Sequence, residues 1–123
     1  MIRLRTFIAS ILFTCFAAAT AAATFPDHPV RLVVPFAPGA TTDILARLLA
    51  ERLAERWKQP VVVENKAGAG SIIGADFVAK AAPDGYTLLF GSESLSLLPH
   101  LQKMPFDWRT DLVRVSLTGT LPI

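Results

Sequence analysis

Cysteine is nearly missing from these 123 residues: Cys15 stands alone, inside the apolar N-terminal stretch. Beyond that stretch no thiol remains, which excludes disulfides and thiolate metal sites. Histidine is scarce as well. His28 and His100 have no carboxylates at metal-ligand spacing, so both read as surface residues and neither a metal nor a cofactor is expected. A basic surplus is also lacking where it would matter. The 12 Lys+Arg against 10 Asp+Glu give a formal charge of +2, and Arg3 and Arg5 near the N-terminus account for all of it. The remainder is neutral and has no basic stripe with interleaved aromatics, so no nucleic-acid partner is expected.

Catalytic signatures are absent too. Gly39-Ala40-Thr41-Thr42-Asp43 has no lysine for a Walker phosphate loop. Gly91-Ser92-Glu93-Ser94-Leu95 fails the Gly-x-Ser-x-Gly elbow at its last position, and no histidine is placed to pair with either serine. The chain is therefore expected not to be an enzyme, with no catalytic residue assigned. A dinucleotide fingerprint is partly present, since Gly68, Gly70 and Gly74 follow an apolar run and Glu93 comes later. Lys66 and Ala67 stand where the first glycine should close the strand. An exported dinucleotide-binding α/β module stays open as an alternative.

The first 23 residues read as a secretory signal peptide. Two cations precede an apolar core from Phe7 to Ala19, and Thr20 to Ala23 are small. The core is shorter than the roughly 20 residues a membrane span needs. Cleavage after Ala23 fits the small-x-small rule, and cleavage after Ala21 fits nearly as well. Phe13 and Thr14 ahead of Cys15 are poor residues for a lipid-attachment site.

From Thr24 onward a strand–turn–helix unit repeats. Val30 to Phe36 reads as a strand buried on both faces. Residues 43–57 have helical periodicity, with Ile44, Leu45, Leu48, Leu49, Leu53 and Trp57 expected toward the core. Val61-Val62-Val63 opens a second strand, Gly68 and Gly70 make a turn, and residues 71–82 read as a shorter helix with Ile73, Phe77 and Ala81 inward. Pro83-Asp84-Gly85 is a turn, Tyr86 to Phe90 a third strand, Leu95 to Leu101 a short helix, and residues 111–117 the start of a fourth strand. This βαβαβ order implies right-handed parallel crossovers and part of a doubly wound α/β sheet.

In such sheets ligands sit outside the carboxyl ends of the strands. Loops 37–43 and 65–71 each lead into a helix N-terminus, where unpaired N–H groups and the helix dipole favour an anion. Thr41, Thr42 and Ser71 add hydroxyls. The plainer reading is that the glycines only ease a turn and that the hydroxyls and Asp43 only cap a helix. A small carboxylate fits such loops better than a phosphate, because there is no lysine clamp.

The segments "FPDHPVRLVVPFAPG", "TDILARLLAERL", "QPVVVENKAGAGSIIGADFVAKAAPDGYTLLFG" and "MPFD" resemble the tripartite tricarboxylate transporter substrate-binding proteins, or Bug-type receptors, over residues 25–123. The resemblance implies a monomeric periplasmic receptor with two α/β domains. It would capture a small carboxylate (a di- or tricarboxylate, an acidic amino acid or an aromatic acid) and deliver it to a membrane permease. It also implies a ligand site built from Phe36, Pro38, Gly39, Ala40, Thr41, Thr42 and Asp43 in the first loop. Ala69, Gly70, Ser71 and Ile72 in the second loop, and Ser92 in a third, complete it. Two departures stand out. Ala40 replaces a usual glycine, which would be strained if that position needs positive φ. Ile72 replaces a side-chain amide. The family's chains are more than twice this long, so residues 24–123 are expected to be the first part of domain 1, with the second domain absent. A truncated, non-functional remnant of such a receptor is a further alternative.

Overall fold

Val30–Val34 forms the central strand, β1, because aliphatic and β-branched side chains let it be buried from both faces. The computed structural model describes residues 24–119. The signal-peptide reading of residues 1–23 lies outside them. Helix α1 follows at Thr41–Trp57, then β2 at Val61–Asn65. A single 3-10 turn at Ala69–Ser71 runs into helix α2 at Ile72–Ala79. Strand β3 at Thr87–Leu89 and helix α3 at Ser94–Leu101 complete the elements. The sheet is fully parallel with order β2-β1-β3. The expected βαβαβ unit is therefore present, as part of a doubly wound α/β arrangement.

Register fixes what meets what at the carboxyl edge. Val34 pairs with Asn65 on one side, and Val33 with Leu89 on the other. The ladder then runs one step into each loop, through Lys66 N–H to Val34 O at 2.8 Å and Phe90 N–H to Val33 O at 2.8 Å. Because β2 and β3 flank β1 on opposite sides, right-handed crossovers put α1 and α2 on opposite faces. Leu32 and Val34 pack with Ala46 and Ala50 of α1, and Val61, Val63, Leu88 and Phe90 border that cluster. On the other face Phe77 of α2 lies beneath the Arg31 guanidinium and the Lys66 ammonium, at 5.6 and 4.2 Å from the ring centre.

Three expectations are corrected. The face of α1 on the sheet is Asp43, Ala46 and Ala50, whereas Ile44, Leu45 and Leu48 are exposed, Leu48 at 56%. Small residues let the helix axis sit close to the pleated sheet, and the larger side chains are turned outward. Ile73 is likewise exposed, because Gly74 and Ala75 take the buried positions of α2. Residues 111–117 form no strand; Val113, Val115 and Leu117 lie exposed beside no sheet edge.

Candidate functional site

The first loop is shaped by one glycine. Gly39 has φ +83°, and the next residue returns to extended backbone: Ala40 has φ −67° and ψ 158°. The conformational demand thus falls on Gly39, and Ala40 carries no left-handed strain. Ala40 is the N-cap of α1 without a side-chain cap bond, so neither Thr41 nor Thr42 is used as the cap. The first intrahelical bond is Ile44 N–H to Ala40 O at 3.0 Å. The amides of Thr41, Thr42 and Asp43 precede it and lack intrahelical partners. They form the donor set at this edge.

Asp43, 2% exposed, does not face outward. Its Oδ2 accepts from the Gly39 amide at 2.9 Å and from Arg47 Nε at 3.0 Å. Its Oδ1 accepts from Asn65 Nδ2 at 2.8 Å. The Arg47 guanidinium first, then the Gly39 and Asn65 amides, hold the Asp43 carboxyl at about 2, well below the ordinary 3.8. Asn65 Nδ2 also donates to the carbonyl of Phe36 at 3.1 Å, while Asn65 Oδ1 accepts from Arg47 Nη2 at 3.1 Å. Asn65 and Arg47 were not among the expected site residues. The sequence held two signals for them: a polar residue ending an apolar strand, and a cation one helical turn after Asp43.

The second loop is more contorted than its sequence suggests. Gly68, Ala69, Gly70 and Ser71 all have positive φ, at +135°, +46°, +63° and +85°. Two non-glycine residues in that region store local strain. The Ser71 amide bonds Gly68 O at 3.1 Å and the Ile72 amide bonds Ala69 O, so these two donors are spent within the turn. The amides of Ala69 and Gly70 precede its first bond. Ser71 is buried and Ile72 points into the core; the replaced amide at position 72 therefore has no counterpart at the surface. Leu98 of α3 lies over Gly70, 3.4 Å from where a side chain there would begin. At the third loop Ser92 Oγ is 2.7 Å from Ser94 Oγ, half-buried.

The structure thus brings Phe36, Gly39 and Asp43 together through Asn65, and leaves Pro38 and Thr41 exposed at the rim. A cavity of about 370 Å³ lies elsewhere, at the end of α3 and the following turn, between His100 and Arg109. It shares no residue with the three loops. His28 and His100 are exposed, as read from the sequence.

With this geometry in hand, the kinship is plain. The description "Tripartite tricarboxylate transporter family receptor" belongs to the family model that matches residues 45–123, and the chain belongs to that family. It is 48% identical over 113 residues to Protein BugT of Bordetella pertussis, covering 87% of this chain and 34% of BugT. Among solved structures, MatC from Rhodopseudomonas palustris with bound malate is 42% identical with a TM-score of 0.56, over 66% of this chain and 29% of MatC. R. palustris Rpa4515 with adipate is 49% identical with a TM-score of 0.52, over 53% of this chain and 22% of that protein. The chain spans about a third of the length of the curated relatives it matches.

Proposed function

We propose that this chain is the first wall of a periplasmic solute receptor that captures a small carboxylate for a tripartite tricarboxylate-type permease. On this reading residues 1–23 are a cleaved export signal. The observation that carries the proposal is the free amide set of Thr41, Thr42 and Asp43 at the start of a 17-residue helix, on the carboxyl edge of a parallel sheet. A carboxylate placed there accepts N–H donors and meets the positive end of the helix dipole. The twisted turn at Gly68 to Ser71 supplies the adjoining surface, through the Ala69 and Gly70 amides. The reading also draws on two relatives of this fold, one with bound malate and the other with adipate. Both are short aliphatic dianions.

Amide NMR of the chain during titration with malate and with adipate tests this. Saturable shifts at Gly39 to Asp43 and at Gly68 to Ile72 are expected. Shifts confined to the region between His100 and Arg109, or none at all, would overturn it for this chain.

A further inference from the structure

We propose that Asn65 is a positioning residue for this carboxylate site: by bonding both Asp43 and the Phe36 carbonyl, it ties the first loop to the end of β2 and holds the loop's amides ready for a ligand. The inference rests on the carboxylate reading above and adds a role that the loop residues do not themselves supply.

A carboxylate at the rim of an anion site would repel its ligand unless its charge were matched. Here Arg47 matches it at 3.0 Å, and two further donors complete the coordination of both oxygens. The Asp43 carboxylate is thereby spent inside the protein and is not offered to a ligand. Asn65 closes the arrangement from the neighbouring strand. Both of its amide protons and its carbonyl oxygen are engaged, with Asp43, Phe36 and Arg47. The opposite amide orientation would set oxygen against the Asp43 carboxylate, so the network itself fixes which way Asn65 points. The contacts cross 22 residues to Asp43 and 29 to Phe36. They therefore couple α1, the first loop and β2 in a way no local turn could. Shared networks of this kind are worth more than their separate bonds.

The test compares the 123-residue chain with Asn65→Asp, Asn65→Ala and the exchange D43N/N65D. Malate and adipate are the probes, Gly39 amide exchange is the local readout, and thermal unfolding checks that each variant is folded. Asn65→Asp keeps the shape of the side chain but sets carboxylate against carboxylate. It is expected to weaken malate and adipate binding by about tenfold or more, and to speed Gly39 amide exchange. The exchange variant restores one carboxylate–amide pair and the Arg47 partner but leaves no donor for the Phe36 carbonyl, so it is expected to recover only part of the lost affinity. Were Asn65 only a space-filling residue, Asn65→Asp would bind like the wild type with an unchanged Gly39 amide, and the proposal would be overturned. If the wild-type chain binds neither acid, the receptor reading fails. Gly39 exchange then decides the tether on its own: faster in Asn65→Asp and partly recovered in D43N/N65D supports it, and unchanged in Asn65→Asp overturns it.

Discussion

Two glycines near the site are required for opposite reasons, and substitution separates them. Gly39 has φ +83° with nothing within 4 Å of where a side chain would begin. Gly39→Ala therefore meets no clash and costs only the left-handed backbone, about 1–2 kcal/mol. Gly74 is helical, and its virtual Cβ lies 2.8 Å from Pro35 Cβ and 2.9 Å from the Lys66 carbonyl. That carbonyl belongs to the backbone and cannot swing away. Gly74→Ala is expected to destabilise by about 1–3 kcal/mol although alanine is the better helix former. Urea unfolding of both variants checks the pair. A Gly74→Ala chain as stable as wild type would mean that α2 can lift from the end of β1, which the contact geometry denies.

At the scale of elements, the sheet shows what periodicity can and cannot reveal. The three strands and the three helices were legible because continuous aliphatic runs, a 3.6-residue repeat and the turn residues between them leave few other solutions. The inward face of α1 was not. Hydrophobic size pointed to Ile44, Leu45 and Leu48, but close helix–sheet contact selected Ala46 and Ala50. Sequence pattern reports that a helix is amphipathic, and the tightness of the contact then decides which stripe is used. Two substitutions test this. Leu48→Lys is expected to change stability by no more than about 0.5 kcal/mol, as at other exposed positions. Ala46→Leu is expected to cost about 1–3 kcal/mol through overpacking between α1 and β1. The reverse ranking in an unfolding titration would return Leu48 to the core. The Asn65 tether was illegible for a related reason. It depends on the Val34–Asn65 register, and register follows from strand pairing rather than from any local motif. Residues 111–117 show the converse. Their alternation suits a strand, but a strand exists only where an edge pairs with it.

For the whole molecule, acid is the condition that reads the site through stability. Three carboxyls are held below their ordinary values: Asp43 by Arg47, Gly39 and Asn65, Glu64 by Lys66 first, and Asp27 by the Tyr86 hydroxyl and His28. A carboxyl depressed in the folded state binds fewer protons there than in the unfolded chain. Its contribution is complete above the unfolded value and is lost as pH falls through the folded one. For Asp43 that window runs from 3.8 down to about 2. Tyr86 works in the opposite direction. Its hydroxyl is pushed up by donating to Asp27, so its contribution is whole below 10.0 and is lost as the solution becomes more alkaline. From these groups the urea midpoint is expected to be flat across neutral pH and to fall steeply below about pH 4. Asp27 and Glu64 are open to water, which weakens their share. Asp43 is buried, and its protonation removes the charge that strengthens its bonds from Arg47, Gly39 and Asn65, so it should account for most of the acid limb. In Asp43→Asn no carboxyl remains at that position to titrate. The variant is expected to be less stable than wild type at neutral pH, but with a shallower fall below pH 4, so that the two curves approach one another in acid. Parallel curves would assign the acid limb to the exposed pairs and show that the first loop is held in place without the Asp43 charge.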